Sequence, residues 1–377
     1  MTCKYCGSEI PEDARHCPNC GKPAGTAVRK PDMAAVRNKA SSIAGAVADV
    51  KRDIHFTDLF TEIFKKHSKK ESGELFVCGT ENTTPSERSM IAEWPKPWLH
   101  SRVFAVLLLM TLLLLVLIRL LHNLNAVPSL LFIGGLMVPF SLMIFIWECN
   151  IPRNISVVQC VVMFLLGGAA VLIIAELLVK ALLPEQSKWG FFITLLAALA
   201  DTIPLTLLTI FFVKRRKPGY ILNGVCIGGC VGGGFAMLLF VGALFTGDLD
   251  FNSGSVYLDR TFLKHFFDNI LYSFCVLNFG AMIGGGLLDA MAQKPFRFAA
   301  LRDVRFLRMA LPAVALMTVY YFNNIRWNSL LLRLLVAVIS AVLVLLLISA
   351  GQKQCVRVCQ AAWESDSPDG GETEEQD

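Results

Sequence analysis

Long apolar runs joined by short polar segments make up the chain from residue 103 to residue 350. A helical run of about 20 residues matches the ~30 Å hydrocarbon core of a bilayer, at ~1.5 Å per residue. Successive runs lack the polar face that helices of a soluble domain usually show. The pattern predicts an all-α polytopic membrane protein with eight transmembrane helices, near residues 103–122, 128–147, 155–182, 190–213, 220–246, 268–290, 306–323 and 329–350.

Composition agrees with a membrane location. Of the 377 residues, 54% are apolar and 17% are charged, whereas roughly a quarter of the residues of soluble domains are charged. No apolar stretch follows Met1, so we expect the first transmembrane helix to act as the targeting signal. The chain is predicted to have four parts, which are a four-cysteine zinc ribbon (1–24), a cytosolic linker and juxtamembrane segment (25–100), the eight-helix membrane domain (101–352) and an acidic disordered tail (353–377).

Four cysteines near the N-terminus have the spacing of a zinc site. Cys3 and Cys6 are separated by two residues, and so are Cys17 and Cys20. Each pair can place two thiolates on one tight turn around a tetrahedral Zn²⁺ ion. A redox pair is disfavoured, because the two pairs are symmetric and no βαβ pattern surrounds them. We predict a structural Zn²⁺ here that supplies the folding energy of this small unit.

The partners of the ribbon are less well defined by the sequence. No stripe of basic and aromatic residues accompanies it, so nucleic-acid binding is disfavoured. We expect it to be a structural or protein-docking module instead, with a cytosolic protein as its candidate partner. The membrane helices themselves have the lipid bilayer as their partner.

Basic residues are concentrated in the loops on one side of the predicted helices. By the positive-inside rule these loops are cytosolic, which places both termini in the cytosol. The loops after the second, fourth and sixth helices contain Arg153, Lys214, Arg215, Arg216, Lys217, Lys294, Arg297, Arg302 and Arg305. The opposite loops contain Lys188, Arg260, Lys264 and Arg326.

Several ionisable residues lie within or beside the predicted helices. Such residues are functional candidates by default, because their burial in a bilayer costs several kcal/mol unless they are paired. Asp201 lies in the middle of the fourth helix, Glu176 lies in the third, and His265 precedes Asp268 at the start of the sixth.

Glycines recur in the fifth predicted helix. Gly224, Gly228 and Gly232 follow each other at four-residue intervals, and Gly234 comes shortly after them. This spacing allows two helix backbones to approach closely. Tight packing alone explains the glycines, and the alternative is a backbone brought close to a site between the fourth, fifth and sixth helices.

The same region resembles the PrsW-type intramembrane metalloprotease family, and its ribbon-bearing bacterial members in particular. One element of that family reads Asp-Gly-x-x-x-Gly-x-x-x-Gly-x-Gly-Phe-Ala-x-x-Glu. The residues that fall in register with it are Asn223, Gly224, Gly228, Gly232, Gly234, Phe235 and Ala236. The resemblance extends from the ribbon to about residue 290. It implies a metallopeptidase with a catalytic Zn²⁺, membrane-protein or peptide substrates, and a bacterial plasma membrane as its location.

The chain departs from the family at the positions that carry the chemistry. The two glutamates of the family's Glu-Glu-x-x-Lys stretch fall on Ala200 and Asp201, and its lysine falls on Pro204. The glutamate that follows Phe-Ala falls on Leu239, and the histidine falls approximately on Asp268. A leucine can neither bind zinc nor take a proton from water, so these departures argue against a second, catalytic Zn²⁺.

Three hypotheses follow for the membrane domain. The first, which we favour, is a catalytically degenerate PrsW-like protein that acts as a scaffold or sensor. The second is an active metalloprotease with rewired ligands, in which Asp201 is the base and His265 and Asp268 bind the metal. The third is a transporter or channel with Asp201 and Glu176 on an ion path.

Overall fold

The computed structural model describes residues 79, 84, 98–121, 126–183, 190–215, 219–247 and 260–364. The chain divides into two units, Met1–Arg52 and Asp53–Asp377, and every described residue belongs to the second. The predicted zinc ligands Cys3, Cys6, Cys17 and Cys20 therefore lie outside the described residues, as does nearly all of the linker.

Eight long helices form the described part of the chain, which contains no strand. A single helical turn of 3₁₀ type, Phe298–Arg302, precedes the seventh. The eight are α1 Trp98–Leu121, α2 Val127–Glu148, α3 Val157–Leu182, α4 Phe191–Lys214, α5 Ile221–Gly247, α6 Arg260–Met291, α7 Val304–Arg326 and α8 Leu330–Glu364. All eight are long and apolar enough to cross a bilayer. The prediction of an all-helical fold with eight helices long and apolar enough to span a membrane is thus confirmed for the described residues.

The last helix continues past residue 352, where the membrane domain was predicted to end and the tail to follow from residue 353. It runs to Glu364, and Cys355 and Cys359, one turn apart, are both buried. The side chain of Gln354 accepts a hydrogen bond of 2.9 Å from the backbone N–H of Ile221 at the start of α5. Packing against α5 therefore keeps this segment helical, although its sequence is more polar than that of the preceding span.

Helices α5 and α6 are the centre of the bundle, because their residues are buried along most of their length. A methyl group at Gly224 would overlap the carbonyl of Gly284, and one at Gly228 would overlap the carbonyl of Gly280. The reverse overlaps hold for Gly280 and Gly284. The two backbones are therefore in direct contact, which only glycine allows. The four-residue repeat in α5 thus meets a matching repeat in α6.

Helix α3 packs against the other side of α5, and it contains an irregular turn at the contact. Residues Met163–Gly167 form a π-helical segment inside α3. A methyl group at Gly234 would overlap the carbonyl of Phe164, and one at Gly168 would overlap the backbone of Gly234. The widened turn is thus located where the two backbones touch, and Gly234 is a packing position in this fold.

Helix α1 lies at the edge of the bundle and is held by a carboxylate from α2. Many of its large side chains are exposed, as expected for contact with lipid. Its first turn has backbone N–H groups that lack partners within the helix. Two of them, those of Leu99 and His100, donate to the carboxylate of Glu148 at 3.0 and 2.9 Å.

We predict that Gly228→Ala destabilises the fold, because its new methyl group meets the carbonyl of Gly280 and neither backbone can move aside. Overpacking of this kind costs about 1–3 kcal/mol. Gly242→Ala on the same helix is the matched control, since a methyl group there has no heavy atom within 4 Å. Thermal unfolding of the two purified variants in detergent measures the effect. Equal melting temperatures would show that the contact between α5 and α6 is not tight.

Candidate functional site

A polar cavity of about 430 Å³ lies between helices α3 to α8. Its walls include Glu176, Asp201 and Asp268, which the sequence predicted as functional residues. Leu239, which falls where the PrsW-type family has a glutamate, lines the same cavity. The structure thus brings the predicted acids of three different helices into one site.

Asp201 belongs to the buried wall of this cavity. Its side chain is contributed by α4 and is 7% exposed. The hydroxyl of Tyr321 donates a hydrogen bond to its carboxylate oxygen Oδ2. The hydroxyl oxygens of Tyr321 and Tyr272 are 2.6 Å apart. Because a phenol has one proton, Tyr272 is the donor in that second bond. The two tyrosines, from α7 and α6, therefore form a short relay that satisfies one oxygen of Asp201.

The backbone next to Asp201 is also altered. Pro204 lies inside α4 and has no N–H group, so the carbonyl of Ala200 loses its usual partner four residues later. The helix nevertheless runs unbroken from Phe191 to Lys214. The Asp201 carboxyl group therefore lies next in sequence to a carbonyl that lacks its usual helical hydrogen bond.

Asp268 forms an ion pair with Arg333 of α8, whose side chain is only 5% exposed. A second nitrogen of the same guanidinium donates to the side-chain oxygen of Asn328. The hydroxyl of Tyr320 donates to the backbone carbonyl of Asp268 at 3.2 Å. Arg333 therefore neutralises one of the three acids, and its own position is fixed from two sides.

The turn between α7 and α8 sets the position of Arg333. Asn328 adopts a positive φ of 49°, a conformation that asparagine tolerates better than most residues. The buried side chain of Asn323 donates to the carbonyl of Ser329 at 3.0 Å and accepts from its N–H at 3.1 Å. These bonds close the turn, so that the first residues of α8, and Arg333 with them, have a fixed position relative to α7.

Glu176 is the most exposed of the three acids. Its side chain is 49% exposed and lies 3.5 Å from Lys180, one turn further along α3. An exposed ion pair of this type contributes little to stability. Glu176 therefore lies at the exposed edge of the cavity.

The described side chains do not fit a hydrolytic zinc site. Such a site needs about three ligands, an open position and a carboxylate base. Asp268 is held by a guanidinium, Asp201 by a phenol, and Leu239 offers no lone pair. Within the described residues, no group of three His, Cys, Asp or Glu side chains around this cavity brings its donor atoms together. His265, the remaining predicted ligand, lies on α6, but its side chain is outside the described set.

Arg333 was not among the predicted site residues. An arginine inside an apolar span is a functional candidate by the same rule that selected Asp201, so the sequence did contain a signal for it. The tyrosines carry no comparable signal, because tyrosine is common in membrane helices. Their role depends on the packing of α6 against α7.

We predict that Arg333→Met strongly destabilises the protein, because it leaves the carboxylate of Asp268 without its cation. Removing one partner of a buried ion pair costs about 3–5 kcal/mol. The double variant with Asp268→Leu should recover much of that loss. Chemical unfolding of the two variants in detergent tests this, with Arg357→Met on the exposed face of α8 as the control. An equal loss in the single and the double variant would contradict the pairing.

No family model, no curated protein and no solved structure matches this chain. The resemblance to the PrsW-type family therefore rests on the motifs of the sequence, and the function has to be argued from the cavity itself.

Proposed function

We propose that this protein is a catalytically degenerate, PrsW-like scaffold or sensor in a bacterial plasma membrane. Its cavity binds a ligand without hydrolysing it, and its N-terminal ribbon holds a structural Zn²⁺ in the cytosol. The observation that carries the proposal is that two of the acids in the cavity are already bound by other side chains. Asp201 is hydrogen-bonded to Tyr321 and Asp268 is paired with Arg333, while Leu239 lines the cavity where the family has a glutamate.

The topology suggests the side from which a ligand enters. The residues that line the cavity lie near the end of α7, at the turn that follows it and near the start of α8. The basic loops are at the opposite ends of the helices, between α4 and α5 and between α6 and α7. If these loops are cytosolic, as the positive-inside rule favours, the cavity faces the outer side of the membrane.

The charges of the cavity favour a ligand with a cationic group. Glu176, Asp201 and Asp268 contribute three acids to its lining, and Arg333 contributes one cation. Asn324 and Asn328 add amide groups that can bind a peptide backbone. A volume of about 430 Å³ is within the usual range of binding sites for small ligands. A lysine or arginine side chain on a peptide segment has the chemistry that this lining accepts.

An ion path is the second candidate function. It is supported by the observation that Asp201 and Glu176 line one cavity. Proton uptake into liposomes that contain the purified protein, lost in Asp201→Asn, would favour it over the binding function.

The binding function predicts that the full chain in lipid nanodiscs binds the tripeptide acetyl-Ala-Lys-Ala-amide more tightly than its norleucine counterpart. Asp201→Asn should weaken binding of the lysine peptide about tenfold, which corresponds to about 1.4 kcal/mol. Asp289→Asn is the matched control, because Asp289 is paired with Arg308 at 2.5 Å and does not line the cavity. Calorimetric titration measures the affinities. Equal binding of the two peptides by the native protein would overturn the proposed ligand class.

The absence of hydrolysis is tested separately. We expect that purified protein with added Zn²⁺ leaves a model transmembrane peptide intact, as judged by mass spectrometry over hours. Cleavage that needs zinc and is lost in Asp201→Ala would show that the chain is an active protease with rewired ligands.

The ribbon predicts one zinc ion per chain. The variant in which Cys3, Cys6, Cys17 and Cys20 are replaced by serine should contain none, because these are the proposed ligands. Elemental analysis of the purified proteins gives the count. Zinc that remains in the serine variant and disappears with Asp201→Ala would instead place a metal in the cavity.

A further inference from the structure

Three buried thiols form a cluster at the opposite end of the bundle from the cavity mouth. Cys160 belongs to the first turns of α3, and Cys226 and Cys230 belong to α5. Their sulfur atoms all lie within 4.8 Å of one another, and those of Cys160 and Cys226 are 3.6 Å apart. All three residues are 0% exposed.

The helices hold these thiols in a fixed arrangement. Cys226 and Cys230 are four residues apart, so they project from the same face of α5. Cys160 faces them because α3 starts at a defined residue, where the side chain of Ser156 accepts a hydrogen bond from the N–H of Gln159 and the side chain of Gln159 accepts one from Ser156. This capping box fixes the first turn of α3. The three sulfurs are therefore placed by regular helices and not by a loop.

The distances suit coordination of a single ion. A metal–sulfur bond of ~2.3 Å places the sulfurs of a tetrahedral or trigonal site about 3.8–4.0 Å apart. The three sulfurs would have to move by less than about 1 Å to reach this spacing. Since the group contains no carboxylate or imidazole ligand, it favours a soft cation such as Cu(I) over Mg²⁺ or Ca²⁺.

The surroundings add further groups with unused donor atoms. Cys149, also buried, lies in the neighbourhood of Cys226 and is a candidate for a fourth thiol. Asn223, one turn before Cys226 on α5, is 5% exposed, and its side-chain oxygen has no hydrogen-bond partner within the described residues. Asn150, next to Cys149, is 1% exposed, and neither polar atom of its side chain has such a partner. Buried polar atoms normally have hydrogen-bond partners, so these unpartnered side-chain atoms are additional candidate ligands at this end of the bundle.

We propose that Cys160, Cys226 and Cys230 form a binding site for the soft monovalent cation Cu(I). The site is distinct from the ribbon and from the cavity, and it does not depend on the proposed function of either. A disulfide is the competing outcome for two of these sulfurs, but the thiols lie near the basic loops, which face the reducing cytosol if the positive-inside rule holds.

The test compares Cu(I) binding by full-length proteins in the presence of a chromophoric Cu(I) chelator. The native protein is compared with the double variant Cys226→Ala, Cys230→Ala, both containing the same ribbon. Cys275→Ala is the matched control, because Cys275 is a fully buried thiol on α6 outside the cluster. We expect the native protein and the control to retain one more Cu(I) ion per chain than the double variant. Equal retention by all three proteins would overturn the proposal.

Two further measurements keep the result interpretable if the double variant folds poorly. X-ray absorption of the copper-loaded protein, with the four ribbon cysteines replaced by serine, should show a first shell of about three sulfurs near 2.3 Å. A shell of nitrogen and oxygen would contradict the site. Thiol titration of the unfolded native protein without reductant should find the cluster thiols free, and two missing thiols restored by reductant would establish the disulfide instead.

Discussion

The contact between the backbones of α5 and α6 is the constraint on which the rest of this structure depends. Within a bilayer, helices gain little from burying apolar side chains, because lipid is equally apolar, so close van der Waals packing has to hold them together. Gly224 lies against the carbonyl of Gly284, and Gly228 lies against the carbonyl of Gly280, so the two backbones touch with no side chain between them. One end of this pair carries Leu239 and Asp268 into the cavity, and the other end carries Cys226 to the thiol cluster.

Polar groups in such a bundle need partners from other helices, since no water is available to them in hydrocarbon. Asp201 receives the hydroxyl of Tyr321, and Asp268 receives the guanidinium of Arg333. These pairings allow the acids to be buried among apolar helices, and each one engages a carboxylate oxygen that a metal could otherwise bind. A cavity with acids, phenols and amides can still recognise a cationic ligand, which is why we propose binding without hydrolysis.

The sequence predicted the helices well because the length of an apolar run is a direct physical signal. It also selected Asp201, Glu176 and Asp268, since a charge in an apolar span has few structural explanations. It could not predict that they share one cavity, because that depends on how α3, α4 and α6 pack. The thiol cluster was hidden for the same reason. Cys160 and Cys226 are far apart in sequence, and each one alone looks like an ordinary small core residue.

In the proposed orientation, the polar cavity opens on the side of the membrane opposite the basic loops. Asn324, an exposed residue of its lining, can be replaced by cysteine and labelled in intact cells with a membrane-impermeant maleimide. Lys294→Cys, exposed on a basic loop, is the control for the other side. This orientation predicts that Asn324→Cys is labelled from outside, whereas Lys294→Cys reacts only after permeabilisation. Labelling of Asn324→Cys only after permeabilisation would contradict it.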